Sequence, residues 1–403
     1  MKGKGFIKPA LGKLHLWLGM ATGFIVLIVS LTGCLFVFEQ ELQRLIYHDQ
    51  LTVPAQKSQL LTPGTIAERV SATFPKTAIQ RIYRRLASTD PALTDTYQVI
   101  LKDKRLVSID PYQGQVLGIR NLKTDFFAIV REIHTTLMMG KTGSHVIGWS
   151  VIVYLFLLIS GLVLWWPRYK AAMSKAALKQ KFTIRWSARW RRVNYDWHSV
   201  GGFYALWLLV VIACTGLIWS FEWWENGLYK LTGSPPRDRA KAVSTLPATR
   251  QTAPTGRSTQ IDAIVARTNA LETGATELYV IFPADSVGAY RVQFRYDEGS
   301  FYRKYTIQYY DQYSGQLVSG KRHSDFSAGD KARGAAYDLH TGGWLGLPGK
   351  ILAFLASLFS ASLPVSGFLV WWGRRRKACQ VVDAPVKTAA VRRKRHAEPV
   401  ANT

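Results

Sequence analysis

Four stretches of this chain are apolar enough to cross a bilayer, which takes roughly 20 residues of helix. They run Leu14–Phe38, His145–Trp166, Ser199–Phe221 and Ile351–Gly373. Between them the pattern changes. Residues 62–119 predict a small α+β unit, with helical spacing over Thr62–Phe74 and strands at Ala78–Leu86, Thr94–Leu101 and Arg105–Ile109. Asp110-Pro111-Tyr112-Gln113-Gly114-Gln115 is a turn into Val116–Ile119. The plan returns with a helix at Ser258–Leu271 and strands at Thr276–Phe282, Ala289–Tyr296 and Tyr302–Tyr310. A second turn of the same D-x-Y-x-G-Q form follows at Asp311–Gln316. Ser234–Arg257, rich in Pro, Thr, Ser and Arg, reads as a poorly ordered connection.

Charge orients these spans. The chain has 403 residues, with 52 Lys+Arg against 26 Asp+Glu for a net +26. Segments 1–14, 167–197 and 373–403 together hold 22 of the basic residues and 3 of the acids. So much charge in short stretches beside apolar runs argues against nucleic acid as the partner and for a lipid bilayer. The positive-inside rule places all three segments in the cytoplasm. The expected order is a cytoplasmic N-terminus (1–13), a first span (14–38), an exported module with an interfacial helix (39–144) and a second span (145–166). A basic cytoplasmic loop (167–197), a third span (198–221), a second exported module (222–350), a fourth span (351–373) and a basic tail (374–403) follow. The expected location is a bacterial inner membrane. Trp165, Trp166, Trp371 and Trp372 end two spans as an interfacial aromatic belt does. Leu31-Thr32-Gly33-Cys34 resembles a lipoprotein cleavage box, but the apolar run continues past Cys34, so an uncleaved helix is expected.

The chain also repeats itself. His15 is followed by Gly19, Thr32, Gly33, Phe38 and Glu39, and His198 by Gly202, Thr215, Gly216, Phe221 and Glu222, at identical offsets. His134 leads to Gly140, Gly143, Ser160, Gly161, Trp165 and Trp166 as His340 leads to Gly346, Gly349, Ser366, Gly367, Trp371 and Trp372. Such self-similarity is the mark of a tandem duplication. The expected fold class is therefore a membrane α-helical protein, four spans from a duplicated two-helix unit with two exported α+β modules.

His15 and His198 start helices on the cytoplasmic side, each with a glycine one turn on, where a missing side chain leaves room for a flat macrocycle. His134 and His340 precede outward helix starts. The distance from His134 to Trp166 exceeds a bilayer core, so breaks are expected at Gly140–Gly143 and Gly346–Gly349, with each histidine on a short surface helix at the outer boundary. Same-side histidines pair across the halves, His15 with His198 and His134 with His340, and point to metal or haem ligation. Against this stands interfacial histidines beside helix-packing glycines. His145 has no matching histidine and is an interfacial residue or a replacement for His134. His48, His323 and His396 read as solvated. Glu39 and Glu222 are matched and stand as polar stops, or as groups that relay protons or orient a substrate. Cys34, Cys214 and Cys379 avoid the exported loops, so no structural disulfide is expected there. No CxxCH is present, which excludes covalent haem, and no GxGxxG or P-loop marks a nucleotide site.

Leu14-His15 with Gly19 and Thr32-Gly33, Ile133-His134-Thr135, Trp197-His198 with Gly202 and Thr215-Gly216, Leu339-His340-Thr341-Gly342, and Ser366-Gly367 with Trp371-Trp372 resemble the PepSY-associated transmembrane family. The resemblance covers roughly residues 10–375, and the exported units are similar to PepSY modules. The family includes integral membrane siderophore reductases such as ferrioxamine reductase. It therefore implies two haem b groups per chain, held by His15/His198 and His134/His340. It also implies electron transfer from an unidentified cytoplasmic donor to a ferric siderophore or other ferric chelate. Other members are described only as iron-regulated or PepSY-containing. The competing expectation is a membrane-anchored PepSY regulatory protein without redox activity. A siderophore permease is weak, because the spans carry no acidic cluster.

Overall fold

The structure, a computed structural model, describes residues 7–88, 90–167, 174–239, 242–245, 256–271, 273–296 and 303–382. The chain opens with α1 (Ile7–Val37), α2 (Glu39–Ile46), α3 (His48–Leu51), β1 (Thr52–Pro54), α4 (Pro63–Thr73) and β2 (Ile79–Arg85). Next come β3 (Leu93–Asp95), β4 (Tyr97–Leu101), β5 (Arg105–Ile109), β6 (Val116–Asn121), α5 (Phe126–Thr136) and α6 (Gly140–Trp165). The second half runs α7 (Lys175–Phe182), α8 (Trp190–Asp196), a π turn (Trp197–Gly201), α9 (Gly202–Ser220), α10 (Glu222–Leu231) and α11 (Arg257–Asn269). It ends with β7 (Glu277–Ile281), β8 (Tyr290–Tyr296), β9 (Lys304–Tyr310), β10 (Leu317–Lys321), α12 (Ala328–Thr341) and α13 (Gly346–Val382).

Four helices are long and apolar enough to cross a membrane: Ile7–Val37, Gly140–Trp165, Trp190–Ser220 and Gly343–Arg375. They pack as a bundle around Leu158, Leu206, Leu209 and Ala356. Close approach is built in, since a Cβ on Gly23 would lie 3.1 Å from Pro364.

Strands of both halves join in one eight-stranded sheet, while β1 and β3 pair separately as a two-stranded one. The order in the larger sheet is β10-β9-β8-β7-β2-β4-β5-β6, antiparallel at every step. The seam is β2 against β7, with Ile82 opposite Val280 and Tyr83 opposite Tyr279. One core lies between the sheet and α4 with α11, where Ile66, Val70, Ile82, Val280, Ile261 and Ile264 are buried together. Each such side chain contributes about 1.5–3 kcal/mol by burial. Thr62 caps α4, its hydroxyl accepting from Thr65 N. Strand β10 follows the second D-x-Y-x-G-Q turn and is exposed throughout, which left it without an alternating signal. Half of the connection Ser234–Arg257, read as poorly ordered, and most of the basic tail lie outside the described residues; within the former, Val243 bridges Gly288.

The helix breaks fall earlier than expected. Leu137 (φ 50) and Met138 (φ 59) are left-handed, and α6 restarts at Gly140 (φ 56). Gly342 (φ 75) ends α12. Gly143 and Gly349 lie inside the following helices and serve close packing instead. A Cβ on Gly143 would strike the Thr136 carbonyl, and one on Gly349 the Gly342 carbonyl. The short helices α5 and α12 therefore fold back against the bundle. His134 reaches Val29 of α1, well inside its end at Val37, and His340 reaches Ile212 of α9. The expected surface placement at the outer boundary is thus corrected: both histidines sit within the bundle, because a tight chain reversal docks their helices on the spans.

Candidate functional site

Two pairs of imidazoles face each other across the bundle. The His15 and His198 ring centres are 6.5 Å apart at 86°. Those of His134 and His340 are 6.3 Å apart at 62°. His15 lies in regular α-helix, whereas His198 sits in the π turn, a feature that often marks functional positions.

Each ring is held in the same way. His15 Nδ1 lies 2.8 Å from Ser160 Oγ, and His198 Nδ1 lies 2.9 Å from Ser366 Oγ. His134 Nδ1 lies 3.2 Å from Thr32 Oγ1 and 3.0 Å from the Val29 carbonyl. His340 Nδ1 lies 3.2 Å from Thr215 Oγ1 and 2.9 Å from the Ile212 carbonyl. A carbonyl only accepts, so Nδ1 of His134 and His340 carries the proton. Ser160 and Ser366 spend their single hydrogen on the Leu157 and Leu363 carbonyls, both at 3.1 Å. They therefore accept from Nδ1–H of His15 and His198. All four neutral rings are Nδ1–H tautomers with a lone pair on Nε2, the nitrogen left for a metal.

The residue after each hydroxyl is a glycine against the ring. A Cβ on Gly33 would lie 3.2 Å from His134 Cε1, and on Gly216, 3.1 Å from His340 Cε1. The corresponding distances are 3.5 Å for Gly161 with His15 and 3.2 Å for Gly367 with His198. The Thr-Gly and Ser-Gly dipeptides are thus imidazole seats, a role that sequence reading did not give them. At Gly19 and Gly202, read as openings beside the rings, an added Cβ would meet nothing nearer than Leu157 at 3.9 Å and Leu363 at 4.0 Å, ordinary van der Waals contact.

Two imidazole nitrogens about 2.0–2.1 Å from one metal, each about 1.1 Å from its ring centre, set the centres about 6.3 Å apart. Both pairs match that spacing. Among the described residues no group of three or more His, Cys, Asp and Glu could hold an ion by itself. Around the His134/His340 pair the four spans line a cavity of about 100 Å³, with Val29, Gly33, Phe36, Ile147, Tyr154 and Gly216 among its walls. Phe36 stacks on His134 at 6.0 Å and 10°, and Trp219 meets His340 edge-on at 5.6 Å.

His145 is exposed and lies 6.1 Å from the Phe221 ring, with no ring contact to another histidine. His323 is buried against Phe326 at 5.5 Å, contrary to its reading as solvated. His396 lies outside the described residues. Glu39 and Glu222 both meet arginines, Arg131 and Arg239, each at 2.5 Å. Burial pushes the Glu39 carboxyl above its ordinary range, against the pull of Arg131. Cys34 and Cys214 are free thiols.

A search among curated proteins finds no match to this chain. The family model described as the PepSY-associated TM region matches residues 13–374, a span that contains all four paired histidines. The chain belongs to the PepSY-associated transmembrane family.

Proposed function

We infer that the chain is an inner-membrane di-haem b oxidoreductase. It moves electrons from a cytoplasmic donor to a ferric siderophore or other ferric chelate outside, releasing iron(II). The observation that carries this reading is the twofold occurrence of facing, Nδ1-anchored imidazoles at the spacing of one shared metal. The protein donors number two per site, which suits a porphyrin iron, whose other four ligands come from the macrocycle. Haem bound there supplies a one-electron carrier near each end of the bundle. The two imidazoles of each pair would hold the haem iron, and haem held so would supply electron transfer rather than oxygen binding.

The residues do the rest. Ser160, Ser366, Thr32 and Thr215 fix the ring tautomer, and the four seat glycines let each ring lie flat on its helix. The basic N-terminus, 167–197 loop and tail orient the chain with its sheet outside. Oxygen-rich chelators hold iron(II) far less tightly than iron(III), so reduction frees the metal. The matched contacts in both halves support descent from a duplicated unit, with the joined sheet as its two PepSY modules.

The test is an absorption spectrum and pyridine haemochrome count of detergent-purified protein expressed with ample haem. Two b-type haems per chain are expected. The haems are then reduced without oxygen and mixed with ferric chelates, with iron(II) trapped by a ferrous-specific chelator. A colourless protein overturns the haem assignment and leaves the membrane-anchored interaction protein as the reading. Haems that no ferric chelate reoxidises overturn the reductase assignment.

A further inference from the structure

The sheet face opposite α4 and α11 looks toward α5 and α12, the helices that carry His134 and His340. Arg303 beside β9 pairs with Asp338 of α12 at 2.8 Å, and the Tyr305 ring lies 3.7 Å from the Cβ position of Gly334. Three rows of side chains cross the seam on this face: Arg81–Ile281–Arg291, Tyr83–Tyr279–Gln293 and Arg85–Glu277–Arg295. The two tyrosine rings are 4.7 Å apart at 35°. Glu277 answers Arg295 at 2.6 Å. Arg81, Arg85 and Arg291 have no carboxylate within 4.0 Å among the described residues.

Nε of Arg81 and Nε of Arg291 are buried without a hydrogen-bond partner. A buried donor left unpaired is costly, and a charged one more so. Burial lowers the Arg81 guanidinium from its ordinary value, and the charges of Arg131 and Arg291 act the same way. Arg131 stands one turn before His134. The platform is thus positive, aromatic at its centre, and set over the outer histidine pair.

We propose that this arginine–tyrosine platform binds the ferric substrate, and that the substrate is a trianionic tris-catecholate complex of iron(III). None of the three guanidiniums is matched by a carboxylate, although Arg291 also donates to Gln293 Oε1, so all three complement its charge through charge-assisted hydrogen bonds. Tyr83 and Tyr279 offer faces for its catechol rings. A cationic hydroxamate complex is repelled by the same groups. This assignment rests on reading the chain as a ferric-chelate reductase.

Gallium(III) has the charge and approximate size of iron(III) and is not reduced by haem, so its complexes report binding alone. Full-length purified protein is titrated calorimetrically with the trianionic gallium tris-catecholate and with a cationic gallium tris-hydroxamate. The catecholate should bind more tightly, and its affinity should fall with salt. Arg81→Gln and Arg291→Gln should each weaken binding about tenfold, with haem content unchanged. Arg81→Lys, which keeps the charge and suits a fold that rejects glutamine, should lose less. Equal or tighter binding of the cationic complex overturns the proposal, as does unchanged binding by the double variant. If the gallium complex binds at the platform but the ferric complex fails to reoxidise the haems, the reductase reading falls and the anion site stands. Reoxidation that is indifferent to both arginines removes the platform and spares the reductase.

Discussion

Ser160 Oγ lies 2.8 Å from His15 Nδ1 and 3.1 Å from the Leu157 carbonyl, so a hydroxyl that gives its hydrogen to that carbonyl accepts from the ring. Ser366 does the same for His198. The outer rings have a backbone carbonyl as a second acceptor, and His198 has that of Leu363; for His15 the hydroxyl matters more. Ser160→Ala should weaken inner haem retention about tenfold or more, the usual cost of losing a ligand's supporting partner, and Ser366→Ala should cost less. Thr32→Ala and Thr215→Ala should cost less, since the Val29 and Ile212 carbonyls remain. Haem-per-chain ratios after dilution, with the potentials of the two haems, measure the difference. Equal losses at all four positions would count against the tautomer argument.

Three of the four seat glycines, Gly33, Gly216 and Gly367, admit no methyl group without movement. Gly33→Ala and Gly216→Ala place a Cβ 3.2 and 3.1 Å from an imidazole carbon, so the outer rings must shift by a few tenths of an ångström. Gly161→Ala, at 3.5 Å, should be tolerated. The expected spectrum shows loss or broadening of the outer haem signal in the first two variants only.

Ligand removal should separate the sites. His15→Ala should lose the inner haem and retain the outer one. His134→Ala should do the reverse, and His145→Ala should keep both. Loss of a haem in His145→Ala with normal content in His134→Ala would make His145 the outer ligand.

Acid should loosen the arginine cluster on α10. Glu225 is 4% exposed. Burial pushes its carboxyl up, but the hydrogen bond and charge of Arg333, with Arg237 and Arg239, outweigh this and hold it below its ordinary value. A carboxyl lowered in the fold stabilises fully above its unfolded value and loses that contribution as pH falls through the folded one. The melting temperature in detergent should therefore drop as pH falls below about 4.5. Glu225→Gln should lower the melting temperature at pH 7 and flatten this acid limb. A variant with the wild-type pH profile would show that Glu225 does not contribute.

Asp262 ties α11 to α4. Its Oδ1 accepts from Gly64 N at 2.7 Å and its Oδ2 from the Thr62 hydroxyl at 2.6 Å. Asp262→Ala leaves the Gly64 N–H unpaired and should cost about 1.5–3 kcal/mol. Differential scanning calorimetry should show a lowered transition for the sheet domain with haem content unchanged.

Much of this was legible in the chain. Apolar runs announced the spans, because a bilayer demands a continuous stretch that no soluble helix needs. The four histidines stood out because their spacings repeat. The meaning of Gly33 did not, since its partner His134 lies far along the chain and meets it only through the reversal at Leu137–Met139. Proximity along one helix suggested Gly19, where an added Cβ would meet only Leu157 at 3.9 Å. The seam was also hidden. Strand pattern shows which side of β2 is buried but is silent on which edge is paired, so two modules and one sheet predict the same sequence.

The β2–β7 seam joins the first strand that each half gives to the large sheet, antiparallel. Antiparallel pairing of corresponding strands is what a twofold axis produces. A chain cut within the 167–197 loop would expose that edge on both pieces, each shaped to accept its counterpart. Separately expressed halves should thus find each other without a covalent link, and either half alone should self-associate through the same edge.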